Sequence, residues 1–234
     1  MTGKTPLILL PGLLCDAALW QYQLSALAEF ADPRVADLTG ADTMAALAES
    51  VLAAAPARFA LAGLSMGGYV AFEIMRRAPE RVSRLALLDT SARADSDAQR
   101  ARRLGLIELA QIGSFKGVTP RLLPLLLHEK HLVPPFTGMV TEMAERIGQA
   151  AFLRQQQAIL GRIDSRPSLA AIQVPTLMLC GDADALTPPA QAEEIATGIP
   201  GARLVLIEGS GHLSTLEQPE AVNRAMIEWL TDEA

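Results

Sequence analysis

The sequence predicts an α/β protein with a doubly wound, mostly parallel sheet of six strands and a helical cap inserted after the fourth strand. Short apolar runs alternate with segments whose apolar residues recur at helical spacing, which is typical of a parallel sheet covered by helices. The alternation stops after Asp89 and resumes at Val174, and the stretch between has helical spacing without a strand pattern. A chain of 234 residues, half of them hydrophobic, suits one such domain with an insertion.

Four of the predicted strands lie in the first part of the chain, and the second of them has the weakest pattern. They are residues 7–10, 34–38, 59–64 and 85–89. Helices are predicted between them, where Asp16 and either Asp42 or Thr43 can cap a first turn and Pro79 stops the third helix. These helices are residues 16–30, 43–55 and 66–78. Strands this apolar are expected to be buried on both faces of the sheet.

Residues 95–164 are predicted to form the cap, and residues 1–94 with 165–234 to form the core domain that carries it. Four candidate helices in the cap are separated by glycine or proline. They are residues 95–112, 119–131, 135–148 and 149–163. After the cap, strands are predicted at 174–181 and 202–207, and helices at 188–197 and 216–230.

Charge and hydropathy exclude two classes of function. The net charge of −6 and the absence of a basic cluster argue against nucleic-acid binding. No apolar run reaches the roughly 18 residues that a membrane-spanning helix needs. We therefore expect a protein that acts on a small molecule and binds neither nucleic acid nor membrane, while the oligomeric state is not indicated.

The cysteines and the N-terminal stretch bear on the compartment. Cys15 and Cys180 are too few for a disulfide framework and favour a reducing environment. The apolar run before Cys15 resembles a short signal peptide, but Leu14 is not a small residue and Lys4 is the single charge before the run. A buried strand explains the same residues, so a cytoplasmic location is expected. Cys15 is expected either to pack or to contact the substrate.

The motif Gly63-x-Ser65-x-Gly67 lies between the third strand and its helix. At this spacing the chain turns sharply, glycine on either side avoids a clash across the turn, and Ser65 is pushed out in a strained conformation. The helix that follows offers free backbone N–H groups to an anion. The same letters also describe a simple serine-containing glycine turn. The strand before the motif and the helix after it favour a nucleophile elbow.

A serine hydroxyl needs a base to take its proton and an acid to orient that base. Of the three histidines, His128 and His131 fall in the predicted cap, whereas His212 follows the last strand, at the sheet edge where Ser65 also lies. The loop after the fifth strand carries Asp182 and Asp184, and either can serve as the acid from position alone. Asp184 lies further into the loop and fits a carboxylate that reaches toward His212, in the chain order Ser–acid–His.

Five stretches of the chain carry a resemblance to a known family. They are LLPG at 9–12, GLSMGG at 63–68, PERVSRLALLDT at 79–90, VPTLMLCGDADALTP at 174–188 and GSGHLSTLEQPE at 209–220. Through them the chain resembles the α/β-hydrolase superfamily, and within it the small helical-capped esterases and enol-lactonases. The resemblance implies that Asp184, three residues after Gly181, is the acid.

The same resemblance bears on the oxyanion hole, which needs two donors placed in advance. One is the backbone N–H of Met66, directly after the nucleophile. The resemblance implies that the other is the backbone N–H of Leu13. The chain departs from most relatives in having Pro11-Gly12 in place of His-Gly, in lacking an arginine in the loop at 37–42, and in lacking an N-terminal hairpin. We expect these departures to affect which substrate is bound more than which reaction is catalysed.

The sequence thus predicts a serine hydrolase without cofactor or metal that cleaves a small carboxylic ester or lactone through an acyl-enzyme on Ser65. A carbon–carbon bond hydrolase or a thioesterase with the same triad is an alternative, and a perhydrolase is another. A non-catalytic small-molecule receptor also occurs on this fold, but an intact triad counts against it. His128 and His131 are spaced to share a metal, yet Glu129 points elsewhere on a helix, so pocket-lining or solvated roles are expected.

The predicted cap is rich in leucine and phenylalanine, which favours an apolar pocket for a short acyl chain over a long lipid chain. It also carries seven arginines that can meet a substrate carboxylate, although most are expected to be solvated. They are Arg100, Arg102, Arg103, Arg121, Arg146, Arg154 and Arg162.

Overall fold

The strands of the computed structural model, which describes residues 4–113 and 115–232, form one sheet. They are β1 (Thr5–Leu10), β2 (Ala31–Val35), β3 (Phe59–Leu64), β4 (Val82–Leu88), β5 (Thr176–Gly181) and β6 (Arg203–Ile207). Their order in the sheet is β2-β1-β3-β4-β5-β6, and each neighbouring pair is parallel. The predicted six-stranded, doubly wound sheet is confirmed, and it is parallel throughout the described residues.

The described residues also form α-helices. They are α1 (Gln21–Ala26), α2 (Met44–Ala54), α3 (Met66–Arg77), α4 (Asp97–Ile112), α5 (Leu123–Leu126), α6 (Phe136–Leu160), α7 (Pro189–Gly198), α8 (Ser214–Glu217) and α9 (Pro219–Thr231). Successive residues of β1 point to opposite faces, so Leu9 packs in one core with Trp20 and Trp229, and Leu10 packs in the other with Phe72. Both faces are therefore buried, as the apolar runs predicted.

The second strand lies three residues earlier than predicted, over Ala31–Val35 rather than 34–38. It is an edge strand that pairs only with β1 among the described strands, starting with Thr5 opposite Ala31. Its sequence contains Asp32 and Arg34, and it tolerates Pro33 because an edge strand does not need every N–H. The apolar Leu38 that suggested the later position is buried, but it lies in the loop after the strand.

The chain between β4 and β5 contains helices and no strand among residues 89–113 and 115–175. α4 begins at a capping box formed by Ser96 and Gln99, close to the predicted start. The long run of α6 is interrupted at Gly148, where φ is 74°, and this matches the predicted division into two helices. The boundaries of the cap at 95–164 and of the core at 1–94 and 165–234 stay a prediction.

The predicted helix over 119–131 is wrong. The structure forms only α5 and a short 3-10 turn, Glu129–His131, with Leu127 and His128 extended between them. Pro124 in the first turn of α5 lacks an N–H and obstructs a helix that would start earlier. Across the described residues, no helix combines the length and apolar character needed to cross a membrane.

Candidate active site

Ser65 lies at the sharp turn between β3 and α3, with φ 53° and ψ −113°. This conformation is strained for a residue with a side chain, at a cost of about 1–3 kcal/mol. The end of β4 holds it, because the Ser65 N–H donates to the carbonyl of Leu88 at 3.0 Å and the Thr90 hydroxyl donates to the carbonyl of Ser65 at 2.8 Å. The neighbouring strand thereby fixes the turn that presents the hydroxyl.

Both glycines of the motif are required by close packing of this turn. A Cβ on Gly63 would collide with the backbone of Gly67, and a Cβ on Gly67 would collide with the carbonyl of Leu10 in β1. The first turn of α3 therefore packs directly on the neighbouring strand. Its free N–H groups point toward the carboxyl edge of the sheet.

His212 and Asp184 extend a line of hydrogen bonds from Ser65. His212 Nε2 is 2.8 Å from Ser65 Oγ, and His212 Nδ1 is 2.8 Å from Asp184 Oδ2. His212 follows β6 and Asp184 follows β5, and both side chains are almost completely buried. Although Ser65 and His212 are 147 residues apart, the parallel strands bring their loops to one edge of the sheet.

The carboxylate of Asp184 is held by its own loop. Its Oδ1 accepts from the N–H groups of Leu186 at 2.8 Å and Thr187 at 3.0 Å, and its Oδ2 accepts from the Thr187 hydroxyl at 2.7 Å. The same hydroxyl is 3.3 Å from His212 Nδ1. Sequence reasoning missed Thr187, although an aspartate that bonds the N–H groups two and three residues later is a common local signal.

Asp182, the other candidate for the acid, points elsewhere. Its side chain is exposed, and Oδ1 accepts from the N–H of Ser210 at 3.2 Å. It therefore links the loop after β5 to the loop after β6. Of the two aspartates, the structure brings Asp184 to His212.

The pKa values of Asp184 and His212 are shifted in opposite directions. Burial raises the pKa of Asp184, but the charge and hydrogen bond of His212 and the bonds from Thr187 outweigh it, so the net pKa is lowered. Burial lowers the pKa of His212, but the charge and hydrogen bond of Asp184, assisted by Asp89 and Glu217, raise it above its ordinary value. The arrangement therefore favours a carboxylate beside an imidazole that readily accepts a proton.

Of the predicted oxyanion donors, Met66 directly follows Ser65 in the chain, and Leu13 directly follows Gly12, which lies close to Ser65. Gly12 is so close that a Cβ added to it would lie 3.5 Å from the Cβ of Ser65. Leu14 has φ 60°, and its N–H donates to the buried Oε1 of Gln155 in α6 at 3.1 Å. Met66 is the first residue of α3, so its N–H has no partner within the helix. Sequence reasoning missed Gln155, which supports the loop from a distant helix.

A second buried carboxyl group, that of Asp89, lies close to Asp184. Asp89 follows β4, and it accepts from the Gly181 N–H at 2.8 Å and from the Ser214 hydroxyl. Burial and the nearby charge of Asp184 raise the pKa of Asp89 to about 8. Asp89 thus joins the ends of β4 and β5 to the loop that carries His212. Asp89 was the last residue of the predicted fourth strand, but nothing in the sequence indicated this role.

The two cysteines, Cys15 and Cys180, are both buried. Burial raises the pKa of the Cys15 thiol to about 12 and also raises that of Cys180, so neither thiol is a ready nucleophile.

In residues 4–113 and 115–232, the one set of three potential metal ligands that converge is Asp89, Cys180 and Asp184. All three are buried, and both carboxylates already accept the hydrogen bonds described above.

His128 binds a group within the cap segment, and His131 binds a group outside it, in α8. His128 Nδ1 accepts from the N–H of Lys130 at 3.2 Å, and His131 Nδ1 is 2.9 Å from Oε2 of Glu217. The rings lie 6.2 Å apart, between centroids, and meet edge to face. Neither histidine belongs to the converging set of potential ligands among the described residues.

Most of the cap arginines have partners in the protein. Arg103 and Arg162 both pair with the carboxylate of Asp95, at 2.9 Å and 2.7 Å. Further arginines bind across the cap boundary or within the cap: Arg146 to Asp16, Arg154 to the carbonyl of Thr39, and Arg100 to the carbonyl of Leu160. Arg102 and Arg121 are exposed. The arginines that were candidates for a substrate carboxylate are therefore mainly structural.

The chain is similar to known proteins in both sequence and structure. Residues 7–225 match the model of the alpha/beta hydrolase family. A curated relative, the pimeloyl-[acyl-carrier protein] methyl ester esterase of Neisseria meningitidis serogroup B, is 30% identical over 183 residues, which is 76% of this chain and 71% of the relative.

Two solved structures are similar over nearly the whole chain. A thermophilic esterase from Thermogutta terrifontis is 31% identical, with a TM-score of 0.86 over 98% of this chain and 90% of its own. The enol-lactonase from Burkholderia xenovorans LB400 is 27% identical, with a TM-score of 0.89 over 98% of this chain and 93% of its own. The resemblance to esterases and enol-lactonases is thereby confirmed.

Proposed function

This chain belongs to the alpha/beta hydrolase family and is a hydrolase, and from that premise we propose that it cleaves a small carboxylic ester or lactone through an acyl-enzyme on Ser65. The observation that carries the proposal is the unbroken line of hydrogen bonds from Ser65 Oγ through His212 to Asp184. This line supplies the nucleophile, the base and the orienting acid that acyl transfer needs.

In the first half of the reaction, His212 Nε2 takes the proton of Ser65 as Oγ attacks the carbonyl carbon. The carbonyl oxygen becomes an oxyanion, which the N–H groups of Leu13 and Met66 would stabilise. When the tetrahedral intermediate collapses, the bond to the leaving oxygen breaks and His212 gives its proton to that oxygen. The acyl group stays on Ser65, and a lactone yields an acyl-enzyme that still carries its own alcohol.

In the second half, His212 takes a proton from water as the water oxygen attacks the acyl carbon. Collapse of the second intermediate releases the acid, and His212 returns the proton to Ser65 Oγ. Asp184 keeps Nδ1 protonated throughout, so that Nε2 is the acceptor, and its charge stabilises the imidazolium. The raised pKa of His212 and lowered pKa of Asp184 suit these roles.

A small, uncharged acyl group fits the cap better than a carboxylate does. Five of the seven cap arginines bind partners in the described residues, as set out above. Apolar cap side chains that pack against the core and are only partly buried are available to line a pocket. They include Phe115, Leu122, Leu123, Leu126 and Phe136.

We predict that kcat/KM for p-nitrophenyl esters is greatest for short acyl chains and falls toward palmitate. The measurement uses the series from acetate to palmitate, together with a panel of lactones, thioesters and carbon–carbon substrates, and Ser65→Ala as the blank. Greater kcat/KM on thioesters or carbon–carbon substrates would select one of the alternative reactions. A maximum at palmitate would contradict the substrate assignment. A wild-type protein that neither turns over the panel nor labels at Ser65 with a fluorophosphonate would be a receptor.

We predict that kcat/KM rises with pH as His212 loses its proton, with the half-maximum above pH 6.5 because the pKa of His212 is raised. The protonated imidazole cannot accept the proton of Ser65, so activity is lost below this pKa. A pH–rate profile with a short ester measures the midpoint, and parallel profiles with and without chelator serve as the control. Loss of activity on chelation, restored by zinc, would overturn the metal-free mechanism.

A further inference from the structure

Glu217 at the end of α8 has a fully buried carboxylate beside the proposed base. Its Oε1 accepts from the N–H of Gly211 at 2.9 Å and from the N–H of Leu213 at 3.3 Å. These residues flank His212 on either side. A charged acceptor makes both bonds stronger than bonds between neutral groups. This one side chain thus holds the backbone on both sides of the imidazole.

The other oxygen of the same carboxylate faces the cap. Glu217 Oε2 accepts from the N–H of His128 at 2.7 Å and lies 2.9 Å from Nδ1 of His131. The ring of His131 packs on Phe136 at the start of α6, with centroids 4.3 Å apart. The packing holds the imidazole in the orientation that reaches the carboxylate. Glu217 therefore connects the loop after β6 to cap residues 126–131.

A direct backbone contact reinforces this connection. The N–H of His212 donates to the carbonyl of Leu126 at 3.0 Å. A Cβ on Gly211 would lie 2.7 Å from the backbone nitrogen of His128, so only glycine permits the approach. The mechanism given above uses neither Glu217 nor the cap segment. Their contacts nevertheless determine where the backbone of the base lies.

We propose that Glu217 and His131 are positioning residues that fasten the His212 loop to cap residues 126–131 and so keep Nε2 at hydrogen-bond distance from Ser65. The inference rests on the proposed function, because it assigns these residues a part in the same reaction. It makes the cap a support for the base as well as a cover for the substrate. Motion of the cap segment is then transmitted to the imidazole of His212 through this carboxylate and through the backbone hydrogen bond to Leu126.

A matched pair of variants at His131 tests the contact. Asparagine places an amide N–H near the position of Nδ1 and can still donate to Glu217, whereas leucine has similar volume and no donor. We expect His131→Leu to lower kcat about tenfold to a hundredfold with a smaller change in KM, as a misplaced catalytic group does. His131→Asn should recover most of that loss. Wild-type kcat in His131→Leu, or equal losses in both variants, would overturn the proposal.

Glu217→Gln provides a second test if His131→Leu fails to fold. The amide keeps an acceptor for the flanking N–H groups and removes the negative charge. His212 also faces Asp184 and Asp89, which remain in place, so a fall in the pKa of its imidazole reports on Glu217. We expect the NMR titration of His212, one of three histidines, to move to lower pH. An unchanged titration with unchanged kcat would contradict the positioning role.

The two proposals fail in different ways. If wild-type protein neither hydrolyses esters nor labels at Ser65 with a fluorophosphonate, the proposed function fails. The NMR titration still tests whether Glu217 and His131 control the imidazole, because it requires no turnover. If the wild type labels normally and the His131 and Glu217 variants label at the same rate, only the positioning proposal fails. Thermal unfolding of each variant shows whether it is folded.

Discussion

The Ser65→Ala variant should lose ester hydrolysis by about 10⁵- to 10⁶-fold in kcat, the scale on which nucleophile removal acts in serine hydrolases. Alanine has no oxygen to attack the carbonyl, and His212 is left without a proton to take. The fold should persist, because the Ser65 side chain makes no capping hydrogen bond to α3 and alanine bears similar strain at this φ. We therefore expect an inactive enzyme whose midpoint of thermal unfolding is close to that of the wild type.

Steady-state kinetics with a short ester measure the loss, and intact-protein mass spectrometry after fluorophosphonate treatment measures labelling. Ser83→Ala is the matched control, because its buried hydroxyl in β4 has no hydrogen-bond partner. That variant should label and turn over like the wild type. Hydrolysis that survives in Ser65→Ala, or labelling at another residue, would show that Ser65 is not the nucleophile.

The second large effect is expected at Asp184. Asp184→Asn should lower kcat about 10⁴-fold, because an amide facing Nδ1 disturbs the tautomer and removes the charge that stabilises the imidazolium. Asp89 is not placed to compensate, since its oxygens bind Gly181 and Ser214. Asp184→Asn also places an amide group against the Thr187 hydroxyl, so a moderate fall in thermal stability is expected alongside the loss of kcat.

Asp182→Asn is the matched control for this change. Its carbonyl oxygen can still accept from the N–H of Ser210, and its side chain is exposed, so kcat should change little. Both variants are compared by kcat at the pH of maximal activity and by the midpoint of thermal unfolding. The opposite ranking of the two aspartates would show that the acid was wrongly assigned.

Sequence alone predicted the candidate residues whose signals are local, and the structure brings these residues together. The glycines around Ser65 are dictated by contacts within the turn and with β1, and the loops that carry Asp184 and His212 follow strongly apolar strands. Parallel pairing then determines that these loops meet. Local signals were weaker at the edge of the sheet, where β2 with its Asp32 and Arg34 was placed three residues late, and in the cap, where Pro124 shortens a helix.

The supporting residues could not be found in this way, because each acts across a long stretch of chain. Gln155 reaches Leu14 over 141 residues, and Glu217 reaches His131 over 86. Neither contact leaves a periodic pattern or a motif in the sequence. Glu217 lies in a stretch that resembles the family, but nothing in the sequence linked its carboxylate to the cap.

The parallel sheet also sets an order of assembly. The proposed nucleophile and the strands on both sides of it, β1 and β4, belong to the first 88 residues, whereas the proposed acid and base follow the last two strands. A chain that emerges from the ribosome N-terminus first can therefore form the elbow long before the base exists. Contacts this distant in sequence close late in folding. Activity is then expected only after the whole chain has folded. Recovery of turnover after denaturation therefore reports the docking of the loops that follow β5 and β6.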